Sequence, residues 1–318
     1  MSDFTIRSRT PEDDEAIVVI YARSYPDRPP MTVEELRHRT IGSQPANAFA
    51  ETVVCVTGEA IAGYAGWNRL VYVEEQDSWW SFLLVDPDRR GQGFGSALYD
   101  VLINRMGERK VRTLTCQVRE NSAHSMHFVE KRGFIPNGQV LRHSRLEVNS
   151  VNLARSQEAA VRVKEAGVRI NTLTELDTDD AFLHGLYRVS EEAETDMPSS
   201  EPYAGMPFED WCKDMFHSPG TSHETIWVAI IDGQPVGFTC LTERAGGFVE
   251  SHFTAVARSH RGRGIARALK LQTVEWAQRN GVRAMLTGND LENAPMLAIN
   301  VDLGYRLLPA AVEMVKKL

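Results

Sequence analysis

Two arginine-led glycine turns are the stretches whose residue types and spacing most clearly predict a chemical role. They read RGQGFG at residues 90–95 and RGRGIA at residues 261–266. Each follows an apolar run and precedes apolar residues at helical spacing, which predicts a strand, a turn and the start of a helix. Amides at a helix N-terminus carry partial positive charge, glycine lets the backbone approach an anion closely, and arginine adds a formal charge. Both turns therefore predict a site for phosphate or pyrophosphate, with a plain tight connection as the alternative.

Neither turn matches a common nucleotide loop. No Lys-Ser or Lys-Thr pair follows the glycines, which excludes a P-loop, and Ser96 and Arg267 stand where a dinucleotide-binding loop has its third glycine. The pattern that both turns share is R-x-x-G-x-G/A. It is formed by Arg90, Gly93 and Gly95 in one turn and by Arg261, Gly264 and Ala266 in the other.

The two turns belong to a longer internal repeat. Three landmarks recur at one offset of 171 residues, namely the arginine of each turn, the valine that ends the strand before it, and the glycine of a downstream Gly-aromatic pair: Arg90 and Arg261, Val85 and Val256, and Gly133 and Gly304. A shared offset across three landmarks indicates two copies of one domain. We place the domain boundary near residue 150, which gives domains of residues 1–150 and 151–318.

The elements predicted for each half agree in order, β-α-α-β-β-β-α-β-α-β. Thr32 and Glu35 have the spacing of a capping box at a helix start, and Asp232-Gly233 predicts a two-residue hairpin turn. This order predicts an α+β fold, a mixed and mainly antiparallel sheet flanked by helices, which occurs twice in the chain.

The composition excludes several classes of protein. The net charge of −8 argues against nucleic acid as a partner. No apolar stretch is long enough to span a membrane and no secretory leader is evident, so we expect a cytoplasmic protein. The four cysteines show neither zinc-site spacing nor a C-x-x-C pair, so we expect reduced thiols and no metal. The oligomeric state is left open.

Both halves resemble the GNAT superfamily of acyl-CoA-dependent N-acyltransferases. The resemblance of the second half is carried by FVESHFTAVARSHRGRGIARALK at 248–270 and NDLENAPMLAINVDLGYR at 289–306. That of the first half is carried by FLLVDPDRRGQGFGSALY at 82–99 and HFVEKRGF at 127–134. The resemblance implies that the turn binds the pyrophosphate of coenzyme A and that the fourth and fifth strands separate to admit its pantetheine arm. It further implies that acetyl-CoA gives its acetyl group directly to an amine.

The resemblance assigns the coenzyme A contacts residue by residue. In the second half they are Val256, Arg261, Gly262, Arg263, Gly264, Ile265, Ala266 and Asn293. The corresponding contacts of the first half would be Val85, Arg90, Gly91, Gln92, Gly93, Phe94 and Gly95.

The general base distinguishes the two halves. Family members often carry a glutamate six residues before the valine that ends the fourth strand, which is Glu250 in the second half and Trp79 in the first. A base is needed because an amine that is protonated at neutral pH must lose a proton before it attacks the thioester. His252, two residues on and on the same strand face, is the alternative base. We therefore expect the second half to be catalytic and the first to bind coenzyme A weakly or to act as a scaffold.

The group that protonates the departing thiolate differs from the family pattern. A tyrosine is common four residues before the Gly-aromatic pair, but Asn300 and Val129 stand at these positions. Asn300 is a candidate hydrogen-bond donor, with helix packing as its alternative role. Tyr305 and Tyr203 are further candidates to replace the tyrosine, and structural roles are their alternatives.

The resemblance implies that the segment between the first two helices shapes the acceptor site, and in the second half this segment is acidic. Residues 191–214, between its first two helices, contain eight acidic residues and one basic residue. A negative rim would attract a cationic amine, either a small molecule such as a polyamine or amino sugar or a Lys-rich peptide, whereas a solvated acidic face would have no such role. Two other functions stay open. One is acyl transfer of the mycothiol-synthase type, and the other is acyl-CoA binding in a non-enzymatic regulatory protein.

Overall fold

A computed structural model of the protein describes residues 3–38, 48–75, 77–151 and 154–318. In chain order its first elements are β1 (Thr5–Ser8), α1 (Asp14–Ser24), α2 (Val33–Arg37), β2 (Ala50–Thr57), β3 (Ala60–Arg69), β4 (Ser78–Val85), α3 (Phe94–Glu108), β5 (Thr113–Arg119), α4 (Ala123–Glu130) and β6 (Ile135–Glu147). They are followed by α5 (Ala154–Glu165), β7 (Arg169–Thr172), α6 (Asp180–Asp196), α7 (Phe208–His217), β8 (Ile226–Ile231), β9 (Gln234–Arg244), β10 (Phe248–Val256), α8 (Ile265–Arg279), β11 (Ala284–Asp290), α9 (Ala294–Asp302), β12 (Arg306–Leu307) and β13 (Ala311–Lys317).

The chain divides into two compact units. Unit 1 comprises Met1–Gly138 and Val312–Leu318, and unit 2 comprises Gln139–Ala311. Each unit has a mixed, mainly antiparallel sheet flanked by helices, so the predicted α+β fold class and its repetition are confirmed.

The sheet of unit 1 has the order β1-β2-β3-β4-β5-β13. Its first four strands pair antiparallel, and β5 then pairs parallel with β4. This parallel pairing covers only Ser78–Trp80 against Thr113–Thr115, after which the two strands separate. Side chains of α3, including Phe94 and Leu98, pack in a core cluster with strand residues, while Ile17 and Ile20 of α1 pack in another.

The sheet of unit 2 repeats this plan with the order β7-β8-β9-β10-β11-β6. Here β10 and β11 pair parallel only over Phe248–Glu250 and Ala284–Leu286. One core cluster contains α8 and α5 side chains, and another contains side chains of α6 and α7. In both units the two parallel strands are thus paired at one end and separated at the other.

The division between the units differs from the boundary expected near residue 150. Leu141–Glu147 of β6 pair antiparallel with β11, so this strand completes the sheet of unit 2. The neighbour of β5 in unit 1 is β13, whose Met314 is fully buried in the core of that unit. The last strand predicted for each half of the sequence therefore belongs to the unit that the other half mainly forms.

Two local predictions are confirmed by hydrogen bonds and dihedral angles. The amide of Glu35 donates to Thr32 Oγ1 at 3.1 Å and the amide of Thr32 donates to Glu35 Oε2 at 2.7 Å, which completes the capping box. Asp232 and Gly233 have φ values of 49° and 78°, as a type I′ hairpin turn requires. Across the described ranges, no helix is both long and apolar enough to cross a bilayer.

Candidate active site

Each unit contains a fork where its two parallel strands separate. In unit 2 the last paired residues are Glu250 and Leu286, and Thr287 Oγ1 donates to the carbonyl of Ser251 across the fork at 3.2 Å. In unit 1 Ser81 Oγ makes the corresponding link to the carbonyl of Thr115, also at 3.2 Å. These hydrogen bonds satisfy backbone groups that lose their ladder partner where the strands diverge.

The glycine turns follow β4 and β10 at the end where the two parallel strands of each fork are separated. Gly262 and Gly264 have φ values of 75° and 83°, and Gly91 and Gly93 have values of 77° and 93°. Left-handed backbone costs other residues about 1–2 kcal/mol each, which explains the glycines. The helices α8 and α3 begin directly after these turns, so their first amides lack acceptors within the helix and suit an anion.

The arginine that opens each turn ties the turn to the preceding strand. Arg261 Nε donates to the carbonyl of Val256 at 2.9 Å, and Arg90 Nε donates to the carbonyl of Val85 at 3.3 Å. The shared hydrogen bond explains why both copies of the repeat keep an arginine at this distance from the end of the strand; its acceptor is a backbone carbonyl, so it does not depend on the valine side chain.

The charge of Arg261 is offset by an acidic residue of α6. Asp196 lies 2.6 Å from Arg261 Nη1 and forms two further hydrogen bonds of 2.7 Å with Arg258. Hydrogen bonds from Arg258 and then from Arg261 lower the pKa of Asp196 to about 2. An anion at the turn of unit 2 would therefore be bound mainly by the backbone amides of the turn, because the charge of Arg261 is already paired with Asp196.

Three other predicted contact residues have structural roles in unit 2. The side chain of Ile265 is 1% exposed, so this residue faces the core and has only its backbone to offer a ligand. Arg263 Nη2 donates to the carbonyl of Ser259 at 3.1 Å. Asn293 precedes α9, where its Oδ1 accepts from the amide of Met296 at 3.3 Å. Whether these residues also touch coenzyme A stays a prediction.

Unit 1 contains a cavity of about 600 Å³ along its fork and turn. Arg89, Arg90, Arg119 and His124 line it, and none of the described residues that line it carries a carboxylate. The apolar part of the lining includes Leu83, Leu84, Cys116, Val118, Phe128, Val129 and Phe134. Arg119 is paired with Asp27, so Arg89 and Arg90 beside the turn carry the positive charge of the lining. Arginines at the turn together with apolar lining residues suit an anionic ligand with a long, weakly polar arm.

Glu250, the predicted base, lies at the fork of unit 2. Its side chain is 37% exposed, and its Oε2 accepts two hydrogen bonds from Arg244, at 3.0 Å from Nε and 2.8 Å from Nη2. To take up a proton the carboxylate has to share or give up this ion pair, because the guanidinium stabilises its negative charge.

His252, the alternative base, is the extra residue of a β-bulge. Ser251 pairs with Leu241 and Phe253 with Cys240, so His252 has no partner position on β9, and it is exposed. The expectation that Glu250 and His252 share a strand face rested on regular alternation. The bulge interrupts this alternation and re-aims the side chains around it.

The bulge also changes which residue of unit 1 corresponds to Glu250. Glu250 pairs with Thr242, five positions along β9 from Gly237, the partner of Val256. In unit 1 the position five along from Gly63, the partner of Val85, is Asn68, which pairs with Trp80. The match expected at Trp79 is therefore off by one. Trp79 is 7% exposed and packs in the core, whereas Trp80 has the register position that Glu250 has in unit 2.

The residues expected to replace the tyrosine donor are buried or already bonded. Asn300 is 1% exposed and its Nδ2 donates to Asn289 Oδ1 at 2.7 Å. The Oδ1 of Asn300 and the hydroxyl of Tyr305 are buried, and neither finds a hydrogen-bond partner in the described part of the chain. Tyr203 contacts Glu191 and accepts a hydrogen bond from the amide of Met206 at 2.8 Å. Burial raises the pKa of both tyrosine hydroxyls.

The acidic stretch of unit 2 includes the end of α6, a connection and the start of α7. We call Glu191, Glu194 and Asp214 the acidic cluster. Burial raises the pKa of Glu194 to about 7, and the charges of Glu191 and Asp214 contribute. Burial, with a contribution from Asp214, raises the pKa of Cys240 on β9 to about 12. Side chains of α6 and α7, the helices that carry the cluster, pack in one core cluster with Phe238 and Cys240 of β9.

Sequence reasoning did not single out four residues of the two forks. They are Ser251 and Lys270, which form a hydrogen bond in unit 2, Arg244, which holds Glu250, and Trp80 of unit 1. A signal for Arg244 is present in the sequence, since opposite charges flank the glycine-containing turn that joins β9 and β10.

Comparisons with known proteins agree with this geometry. The model of the acetyltransferase (GNAT) family matches the chain at residues 15–134 and again at 181–301, which together exceed half of its length. A Bacillus subtilis (strain 168) protein, provisionally named a [ribosomal protein bS18]-alanine N-acetyltransferase, is 24% identical over 133 residues, which are 42% of this chain and 82% of that protein.

Two solved structures share the fold over nearly the whole chain. A GCN5-related N-acetyltransferase from Sphaerobacter thermophilus has a TM-score of 0.72 at 22% identity, covering 99% of this chain and 95% of that one. A tandem GNAT protein from the clavulanic acid biosynthesis pathway has a TM-score of 0.73 at 18% identity, covering 99% and 98%. The two family matches and the repeated fold show that this chain belongs to the GNAT family of N-acetyltransferases, in its tandem two-domain form.

Proposed function

We propose that the protein transfers an acetyl group from acetyl-CoA directly to a primary amine, and that the reaction takes place in unit 2. The observation that carries this proposal is that Glu250 in unit 2 and Trp80 in unit 1 have the same register position in their sheets. A carboxylate at the fork accepts the proton that the amine must lose, and an indole at the same position does not.

The fork and turn of unit 2 provide the acetyl-CoA site in this proposal. The amides of Gly262, Gly264 and the first turn of α8 receive the diphosphate, and the separated β10 and β11 receive the pantetheine arm. Members of the family use acetyl-CoA, which agrees with the repeated anion turn.

Unit 1 binds a second acyl-CoA without turnover in this proposal. Its cavity combines arginines at the turn with apolar lining residues, and its lining offers no carboxylate among the described residues. The cavity favours binding over a purely structural role for unit 1. This is the specific observation that supports an acyl-CoA-binding function beside the enzymatic one.

Glu250 and His252 remain the two candidates for the base. Glu250 sits at the last paired position of β10, held by Arg244, and is exposed enough for a water to relay the proton. His252 projects from the bulge two residues further toward the turn. We assign the reaction to Glu250 because its position is set by strand pairing on both sides.

The acceptor is a cationic amine in this proposal. The acidic cluster lies on α6 and α7, which pack against β9 and β10, and its negative charge raises the local concentration of a protonated amine. The Bacillus subtilis relative is named for transfer to an alanine of a ribosomal protein, which supports a peptide amine as one acceptor class. Small amines are the other class.

Release of coenzyme A from acetyl-CoA, measured across a panel of amines and peptides, tests this function. Once an acceptor is found, Glu250→Gln is expected to lower kcat by about 10²-fold or more, as loss of a general base does. Trp80→Gln, at the matching position of unit 1, is the control and should leave the rate unchanged. A Glu250→Gln rate close to that of the unaltered protein would show that the base lies elsewhere.

Matched turn variants separate the roles of the two units. Gly264→Ala and Gly93→Ala each place a Cβ at a φ above +80°. We expect Gly264→Ala to raise the KM for acetyl-CoA at least several-fold, and Gly93→Ala to leave turnover intact. Calorimetry should show two bound acetyl-CoA molecules in the unaltered chain and one in Gly93→Ala. One bound molecule in both would refute binding by unit 1.

A further inference from the structure

Lys270 of α8 is a buried lysine whose charge is not neutralised by any described carboxylate. Its side chain is 1% exposed, its Nζ donates to Ser251 Oγ at 3.1 Å, and its Nζ lies 5.5 Å from the ring centroid of Tyr305. Isolated buried ammonium groups are strongly destabilising, so they are rare unless an anion meets them during function. Lys270 is therefore a candidate to give up its proton during function.

Lys270 and Ser251 lie at the closed end of the cleft between β10 and β11. Ser251 directly follows Glu250, the last residue of β10 that pairs with β11. The carbonyl of Ser251 accepts the hydrogen bond from Thr287 that bridges the fork. The Ser251 hydroxyl thus sits where the two strands part, one residue from the proposed base.

The length of the pantetheine arm brings its sulfur to this place. Val256, at the turn, and Ser251 are five residues apart on β10, about 16 Å in an extended strand and somewhat less because of the bulge. The arm contains twelve bonds from phosphate-ester oxygen to sulfur, as many as four extended residues, or about 14 Å. A diphosphate on the turn therefore places the sulfur near the Ser251 hydroxyl.

We propose that Ser251, supplied by Lys270, is the proton donor to the coenzyme A thiolate. This inference rests on the proposed function, in which unit 2 is catalytic. As the amine nitrogen bonds to the acetyl carbon and the C–S bond breaks, Glu250 takes the amine proton and the sulfur takes the proton of Ser251 Oγ. Lys270 Nζ returns a proton to Ser251 Oγ and becomes neutral, and it regains a proton from solvent after coenzyme A leaves.

The titration of Lys270 agrees with this role. Burial lowers the pKa of Lys270 to about 8, close to the value of about 8.5 for an ordinary thiol, so the proton moves to sulfur at little cost. The other titratable groups that face it are Cys240, which burial keeps as a neutral thiol, and Tyr305, whose hydroxyl is kept neutral by burial.

Unit 1 supplies an internal comparison. The residue that matches Lys270 at the 171-residue offset is Tyr99, which lines the cavity. Ser81 occupies the register position of Ser251 but donates its hydroxyl to Thr115. The serine–lysine pair thus occurs in the unit that has Glu250. The matching sequence positions of unit 1 hold neither a lysine nor a carboxylate, and the lysine that reaches Tyr99 is Lys316 of β13, whose Nζ donates to the Tyr99 hydroxyl at 2.8 Å.

The experiment is the pH dependence of coenzyme A release by the full chain with a working acceptor. In the unaltered protein we expect kcat to fall above about pH 8, where Lys270 loses its proton. Ser251→Ala and Lys270→Met should each lower kcat by about 10-fold or more and abolish this alkaline fall, with the KM for acetyl-CoA within about threefold. Lys317→Met, which removes a 2.8 Å hydrogen bond to Thr113 in unit 1, is the control and should change neither.

The outcomes are separable from those of the proposed function. Urea unfolding identifies any variant that fails to fold. If Lys270→Met does not fold, Ser251→Ala, which removes only one oxygen, carries the test. If Glu250→Gln abolishes turnover but folded Ser251→Ala keeps the kcat and the alkaline fall, the donor assignment is wrong and the proposed function stands. If Glu250→Gln has no effect on turnover, the proposed function is wrong, and the donor assignment, which rests on it, is wrong as well.

Discussion

Arg244 of β9 donates two hydrogen bonds to one oxygen of Glu250, with Nε 3.0 Å and Nη2 2.8 Å from Oε2. The Arg244 side chain is 14% exposed, so solvent screens this pair only in part. The guanidinium fixes the carboxylate at the fork, but it also competes with the amine proton. The pair therefore positions the proposed base and weakens its basicity at the same time.

Arg244→Gln tests this balance. The glutamine keeps a hydrogen-bond donor but removes the cation that stabilises the negative charge of Glu250, so the acid limb of kcat/KM should move to higher pH. Coenzyme A release measured from pH 5 to pH 9 checks the shift. The control is Arg283→Gln. It removes a different guanidinium, which lies over the ring of Phe248, a residue of β10 like Glu250. An unmoved acid limb in Arg244→Gln would transfer the role of base to His252.

Glu194→Gln is expected to stabilise the protein above neutral pH. The pKa of Glu194 is raised to about 7 in the folded chain, above its ordinary value, so the folded state binds a proton that the unfolded state has already lost. Stability therefore falls as pH rises from about 4.5 to about 7, and the loss is complete above that range. Glutamine does not ionise, so we expect a gain of about 1–2 kcal/mol at pH 8 and little change near pH 4.5.

Urea unfolding at the two pH values measures the Glu194→Gln effect. Glu175→Gln should have the opposite sign at pH 8, because hydrogen bonds from the amide and side chain of Thr172 lower the pKa of Glu175. Equal destabilisation by Glu194→Gln at both pH values would show that this carboxylate is not the strained member of the acidic cluster.

The repeat, the fold class and the two turns were predictable because they depend on short-range patterns. A turn that needs positive φ and leads into a helix is visible locally in the sequence, as glycines followed by apolar residues at helical spacing. The common offset of 171 residues then relates the two copies. The bulge at His252 leaves no such trace, since FVESHFTAV alternates equally well with or without it. One inserted residue was enough to point to Trp79 instead of Trp80.

Two other features depend on contacts between distant parts of the chain. The sequence places β6 and β13 at the ends of the halves but does not say which sheet each completes. Lys270 lies beside the apolar stripe of α8, and a one-sided pattern would leave it in solvent. It is buried because its side chain extends to the hydroxyl of Ser251 on β10 and to the ring of Tyr305, two residues that are themselves buried.

Tyr305→Phe separates the two donors considered for the thiolate. The Tyr305 hydroxyl is buried and has no partner among the described residues, so its removal should stabilise the chain by about 1 kcal/mol. The ring beneath Lys270 is retained. If Ser251 is the donor, the kcat of coenzyme A release should stay within about twofold. Urea unfolding of the same samples measures the expected gain in stability. A drop of tenfold or more would make Tyr305 the donor instead.

Salt dependence tests the role of the acidic cluster in acceptor binding. Exposed charges are screened over about 8 Å at physiological ionic strength, so the KM for a polyamine such as spermidine should rise several-fold between about 20 and 300 mM salt. Asp214→Asn should raise this KM at low salt and flatten its salt dependence, because it removes one charge of the cluster. Asp210→Asn is the matched control, since its carboxylate is paired with Lys213 at 3.1 Å. A KM that does not respond to salt in the unaltered protein would mean that the cluster acts on the stability of α6 and α7, not on the approach of the amine.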